Sequence, residues 1–270
     1  MAWVENQGAM IYWDEQGQGE PVLLIMGLGW ASPMWHRSRP VLAERYRTIA
    51  LDNRGVGRSG MPPGPYAIAL MASDAVSVLD AAGIEGAHVF GVSMGGMIAQ
   101  EFALQYPGRV RSLILGCTAA GGPTALHAEP EVLEILTRRD LSPDASVAAS
   151  NPFLYDAGTP LARLDEDAAI RKQWWPHPVG YMAQFQGIIA WEAYSRLPQI
   201  AAPTLVIHGE TDRLVPPGNG KLIADRIRGS KLVMIPHASH IFPTDQPAAT
   251  RHAVLEFLSA QHDRTFRTQA

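Results

Sequence analysis

The chain has 270 residues, 47% of them hydrophobic, which is enough apolar material for a sizeable core and excludes global disorder. Charged residues make up 18% and the formal net charge is -4, with no basic run, so a nucleic-acid-binding surface is not expected. The single cysteine, Cys117, excludes an intrachain disulfide framework and a Cys-based zinc site.

Apolar runs bounded by Gly, Pro or charge predict strands at 9–13, 21–26, 47–51, 87–92, 111–115, 203–208 and 231–235. Continuous Val/Ile/Leu runs suit strands buried on both faces, as in a parallel sheet. Helical patterns fall between them at 72–82, closed by Gly83, then 96–105, 221–227 and 248–260, the last preceded by Pro247. Alternating strand and helix predicts an α/β fold with a mostly parallel central sheet flanked by helices. The interval 116–202 breaks the alternation. It is far longer than a simple crossover and predicts an inserted helical cap, with helices at 130–139, 160–174 and 181–197. The expected organisation is a core formed by 1–116 and 203–270 with the cap at 117–202.

The N-terminus lacks a basic segment followed by an apolar one, and no apolar run is long enough to cross a bilayer. A cytoplasmic protein with no membrane partner is expected; the oligomeric state is left open.

The strongest local pattern is Gly91-Val92-Ser93-Met94-Gly95-Gly96, placed between a predicted strand and a predicted helix. A bare G-x-S-x-G also arises as an ordinary Gly-rich turn. Between strand and helix it has the context of a nucleophile elbow, in which a sharp turn lifts the Ser93 hydroxyl above the sheet. A serine needs a base, and the base needs an orienting acid. The strand at 203–208 runs into Glu210 and Asp212, and the strand at 231–235 runs into His237 and His240. Both turns lie at carboxyl ends of strands, where open α/β sheets place their sites.

With these features, the turn Gly27-Leu28-Gly29 and the segment from Asp52 to Ser59, the chain resembles the α/β-hydrolase superfamily over roughly residues 20–116 and 203–258. Within it, the chain looks most like small bacterial esterases and lactonases, such as enol-lactonases and antibiotic methylesterases, and is similar to cofactor-free perhydrolases. The resemblance implies Ser93 as nucleophile, Asp212 as acid and His240 as base. It also implies an oxyanion hole from the backbone N–H groups of Leu28 and Met94. Some relatives carry the acid after the preceding strand, but 117–128 contains no Asp or Glu. Relatives usually have Gly where His237 stands.

The resemblance implies a serine hydrolase acting on a carboxylic ester or lactone, with no cofactor and no metal. Perhydrolysis, C–C bond cleavage or a receptor with a retained hydrolase fold are the alternatives. Within the cap, 173–195 is rich in aromatic and aliphatic residues and has Glu192 as its single charge. Met182, Phe185 and Ile189 share one helical stripe expected to hold the cap to the core. Trp174, Trp175, Tyr181 and Trp191 fall off it and are expected to face the pocket, implying an apolar or aromatic substrate. Trp30 and Trp35 are candidates for the pocket wall and equally for core packing. Asp52 and Arg54 are expected to form an ion pair bracing their loop. Cys117 reads as a small buried hydrophobe, and His88 and His208 as core residues.

Overall fold

The computed structural model describes residues 1–138 and 140–267, with side chains to residue 261. Eight strands form one sheet: β1 (Ala2–Asn6), β2 (Ala9–Gln16), β3 (Glu20–Ile25), β4 (Tyr46–Leu51), β5 (Ala87–Val92), β6 (Val110–Gly116), β7 (Thr204–Gly209) and β8 (Lys231–Ile235). Their order is β1-β2-β4-β3-β5-β6-β7-β8. The β1–β2 and β2–β4 pairings are antiparallel, and all others are parallel. Strand β1 was not anticipated. Its alternating half-buried pattern carries too few apolar residues to stand out from an exposed terminus.

The helices are α1 (Arg39–Ala43), α2 (Ile68–Ala81), α3 (Met94–Gln105), α4 (Pro130–Thr137), α5 (Pro143–Leu154), α6 (Leu161–Gln173), α7 (Pro178–Ile189), α8 (Gly218–Arg226), α9 (Phe242–Asp245) and α10 (Pro247–Arg267). Alternate residues of β3 divide the core between the two faces of the sheet. Leu23 and Ile25 pack with Met71, Ala75, Ile98 and Phe102 of α2 and α3. Val22 and Leu24 pack with Trp35, Leu42 of α1, and Phe257 of α10. All four β3 residues are fully buried, so hydrophobic side chains are required on both faces.

The chain leaves β3 for β4 on one side and returns to pair β5 on the other. Strand order therefore reverses at β3 and β5, and the crevice beyond their carboxyl ends is the topological switch point. The turn Gly27-Leu28-Gly29 follows β3 and Ser93 follows β5, so both arrive in that crevice.

Four helices, α4 to α7, lie between β6 and β7. Helix α5 was not anticipated, although Ser142 accepts the Ala145 N–H as its N-cap and Pro143 occupies the first turn. The pattern at 181–197 runs past the real end of its helix. Helix α7 stops at Ile189, because Glu192 bridges to Gly121 and the Ala193 N–H donates to Ala120 O. No helix among the described residues is long and apolar enough to cross a membrane.

Candidate active site

Ser93 connects β5 to α3 with φ 57° and ψ -123°, a conformation that costs a non-glycine residue on the order of 1–3 kcal/mol. The surrounding backbone holds it there. Its N–H donates to Gly116 O at 2.8 Å, and its carbonyl accepts from Gly96 N–H at 2.9 Å and Thr118 Oγ1 at 2.7 Å. Two glycines make the turn possible. A Cβ on Gly91 would lie 2.1 Å from Gly95 O, and one on Gly95 would lie 2.1 Å from Ile25 O.

Asp212 follows β7 and is buried; Glu210, two residues earlier, is exposed. Asp212 Oδ1 accepts the Leu214 and Val215 N–H groups, both at 2.9 Å. Its Oδ2 accepts Nδ1–H of His240 at 2.8 Å. Burial pushes the Asp212 carboxyl up, but the charge of His240 and hydrogen bonds from His208 and His240 outweigh it and hold the acid well below the usual carboxylate range. His237 is exposed at φ 53°, in the left-handed region that favours glycine.

Ser93, His240, Leu28 and Met94 all line one cavity of about 580 Å³. The Ser93 Oγ has no hydrogen bond among the described residues; such bonds often tighten only with substrate in place. A Cβ on Gly27 would lie 3.4 Å from Ser93 Oγ, which places the loop after β3 directly beside the hydroxyl. Neither the Leu28 N–H nor the Met94 N–H donates to a backbone acceptor in the turns and loops described. A strained serine at a strand–helix turn, with a buried acid–imidazole pair opening on the same crevice, has the arrangement of one fold family.

The chain belongs to the α/β-hydrolase fold family. The family model for the alpha/beta hydrolase fold matches residues 20–247. The chain is 33% identical over 262 residues to a protein of Azorhizobium caulinodans named "Putative carbamate hydrolase RutD", covering 95% of this chain and 98% of that one. It is 30% identical over 246 residues to 3-oxoadipate enol-lactonase 2 of Acinetobacter baylyi, covering 88% and 89%. The structure of a thermophilic esterase from Thermogutta terrifontis superposes with a TM-score of 0.84 at 28% identity, covering 97% of this chain and all of that one. The resemblance to bacterial esterases and lactonases thus holds across nearly the whole chain.

Residues of α4 to α7 form part of the cavity wall, and that wall corrects the expected division of labour in α7. Phe185 and Ile189, expected to glue this helix to the core, line the cavity instead, and Ile189 is 70% exposed. The helix is held down by Tyr181, Ala183, Gly187 and above all Gln184, which is fully buried. Gln184 Oε1 accepts the Gly29 N–H at 2.9 Å, and its Nε2 donates to Arg54 O at 2.8 Å. A glutamine inside an apolar stretch gave no sequence signal for this anchor.

Trp174, Trp175 and Tyr181 line the cavity as anticipated, and so does Trp30; Trp35 reaches the cavity but is 2% exposed and packs on Phe90 in the core. Trp191 does not: its indole Nε1 donates to Glu101 at 2.7 Å, inside the core. The expected Asp52–Arg54 pair is replaced by two separate pairs. Arg54 grips Asp74 at 2.6 and 2.7 Å, and Arg58 meets Asp52 at 2.8 Å.

Cys117 is fully buried and takes the Gly209 N–H at 3.4 Å. Burial, with the charge of Asp212, pushes its thiol well above the ordinary value, which removes thiolate nucleophilicity. Cys117, Asp212 and His240 place ligand atoms within 4.8 Å of one another. A metal bound there would have to break the Asp212–His240 hydrogen bond. His88 is a core residue, its Nδ1 2.8 Å from Ser112 Oγ. His208 is equally buried, but it touches the site: its Nε2 lies 3.3 Å from Asp212 Oδ2.

Proposed function

We propose that the protein is a serine hydrolase that cleaves a carboxylic ester or lactone of a largely apolar small molecule through an acyl-enzyme. The observation that carries this reading is the strained Ser93 opening on the same cavity as the hydrogen-bonded Asp212–His240 pair.

In this mechanism Ser93 Oγ attacks the carbonyl carbon as its proton passes to Nε2 of His240. Asp212 fixes the imidazole with Nδ1–H donating and stabilises the cation that forms. The N–H groups of Leu28 and Met94 bind the oxyanion, aided by the positive end of α3. Collapse expels the alcohol, which takes the proton from His240. Water, deprotonated by His240, then releases the acid and restores Ser93. Helices α4 to α7 act as a cap that excludes bulk water and supplies the apolar wall. The likeness to a protein named as a carbamate hydrolase adds a second acyl group, since the same attack on a carbamate gives a carbamoyl-enzyme. A free, buried cysteine suits work in a reducing cytoplasm.

The test is a turnover screen of esters, lactones and carbamates on wild type and Ser93→Ala. Multiple turnovers lost in Ser93→Ala support the reading. Tight binding without turnover of any of the three identifies a receptor and rejects it.

A further inference from the structure

We propose that Arg171 is a subsite for a carboxylate at the far end of the substrate, so that the enzyme acts on esters or lactones with an apolar body and an anionic tail. This rests on the hydrolase reading above and specifies its substrate class.

The starting observation is the charge of the cavity wall. Among the described residues it includes Arg37 and Arg171 but no Asp or Glu, in a chain whose net charge is negative. The two arginines differ in how they are paired. Arg37 is neutralised: its guanidinium donates to Glu166 at 2.7 Å and Asp167 at 3.2 Å. Arg171, 7% exposed, meets neutral oxygens: it donates to Asn151 Oδ1 at 2.9 Å and Ser150 Oγ at 2.8 Å and also hydrogen-bonds the Tyr155 hydroxyl. Its Nε–H has no acceptor, and no ion pair among the described residues includes it. The guanidinium carbon lies 5.3 Å from the centre of the Trp30 ring, another residue of the wall.

The nearest acid is Asp167, one turn earlier on α6, and its carboxylate is already committed. It lies 3.2 Å from both His36 and Arg37 and accepts the hydroxyls of Thr244 at 2.6 Å and Tyr155 at 3.1 Å. Burial pulls the Arg171 pKa below its ordinary value, with Tyr155 and Asp167 opposing it.

Tying α6 to α5 through Ser150 and Asn151 does not by itself require a cation. A glutamine offers donors to both without the cost of burying a charge, which is several kcal/mol when no counter-charge touches it. A buried guanidinium left partly unpaired is suited to a carboxylate, which it grips in bidentate fashion. Ser146 adds a hydroxyl to the same wall, whereas that of Ser150 is already donated to Ser146 O at 2.7 Å. Trp30, Leu154 and Ile170 line the same wall, and this apolar lining favours a hydrocarbon or aromatic spacer.

The experiment compares kcat/KM for methyl hemi-esters of dicarboxylic acids of four to eight carbons with their neutral ω-amides. A parallel arm uses acetate esters of ω-hydroxy acids and their amides, which place the carboxylate on the leaving side. In wild type the anionic substrate is expected to exceed its amide at least tenfold at the best length on one arm. That ratio falls at least tenfold in Arg171→Gln and only partly in Arg171→Lys. A wild-type ratio at or below one at every length on both arms, or an unchanged ratio in a folded Arg171→Gln protein, overturns the subsite. If Arg171→Gln does not fold, the wild-type and Arg171→Lys ratios decide. Calorimetric binding of the same pairs to Ser93→Ala separates the two readings. Carboxylate-selective binding without ester turnover by wild type keeps the subsite and rejects the hydrolase. Turnover confined to neutral esters keeps the hydrolase and rejects the subsite.

Discussion

His208 and His240 share one oxygen of Asp212. The Nε2 of His208 lies 3.3 Å from the same Oδ2 that takes the His240 Nδ1–H at 2.8 Å. His208 Nε2 also lies 2.8 Å from Val215 O, and its Nδ1 has no partner among the described residues. A carbonyl can only accept, so Nε2 carries the hydrogen and divides it between Val215 O and Asp212. This second imidazole braces the acid at the same oxygen that holds the base. His208→Ala is therefore expected to lower kcat by about 10- to 100-fold with KM changed less than threefold, a scale set by misplacing a catalytic group by about an ångström. His208→Gln, which keeps an N–H donor, recovers part of the loss. Steady-state kinetics of the two variants check it; equal activity in wild type and His208→Ala removes His208 from a positioning role.

The elbow tolerates no side chain at its second glycine. A Cβ on Gly95 meets the Ile25 and Met26 carbonyls at 2.1 and 2.7 Å, and these are backbone atoms of β3 and its following loop that cannot step aside. Gly95→Ala is expected to destabilise the fold by at least about 3 kcal/mol, at the severe end for single substitutions. Urea unfolding measures it. A variant as stable as wild type would show that the turn is looser than its geometry.

Gln184 joins the insert to the loop that carries Leu28. Gln184→Leu removes both of its hydrogen bonds and leaves the Gly29 N–H and Arg54 carbonyl unpaired in the interior. An orphaned buried group costs about 1–3 kcal/mol, so a loss of about 2–4 kcal/mol is expected, with kcat falling as the oxyanion loop loosens. Thermal unfolding and ester kinetics on the same preparation check both parts. A stability loss with unchanged kcat would confine Gln184 to a structural role.

What the sequence made legible follows from how local each signal is. The β5–Ser93–α3 turn is written in six consecutive residues, and the late acid and histidine turns follow strands with solid apolar runs. Those elements were placed within a few residues. The roles of Gln184, His208 and Arg171 depend on partners far along the chain or across a turn that has no pattern of its own. Gln184, for example, bonds to residues 130 and 155 positions away. The helical stripe in α7 was read with the right period but the wrong face. Ala183, Gln184 and Gly187 form its contact with the core, and Phe185 and Ile189 turn to the cavity. Likewise Asp52 and Arg54 were read as partners from proximity, whereas each finds a counter-charge elsewhere.

Asp245 gives the fold a pH signature. It accepts the Ser239 N–H at 2.7 Å, next to His240, and the Thr159 hydroxyl. Burial raises its carboxyl to about 6, against hydrogen bonds from Thr159 and Ser239. The native state therefore keeps a proton that the unfolded chain releases near pH 4. This stabilisation is present below about pH 4 and is lost as pH rises to about 6, amounting to at most about 3 kcal/mol. Asp245→Asn removes the titration while keeping an acceptor for Ser239. Its stability relative to wild type is expected to improve by about 1–3 kcal/mol from pH 4.5 to pH 8. Urea unfolding at the two pH values measures this, and a difference independent of pH would contradict the burial argument.

The central claim is that Ser93 is a nucleophile activated by the Asp212–His240 pair. Its most direct measurement is active-site labelling with a fluorophosphonate, followed by peptide mass spectrometry, on wild type, Ser93→Ala and His240→Ala. One stoichiometric adduct is expected on Ser93 in wild type and none in Ser93→Ala. Labelling slowed by at least about a thousandfold is expected in His240→Ala, in line with the loss expected when a triad member is removed. Stoichiometric labelling of another residue, or of Ser93 at the wild-type rate without His240, would contradict it.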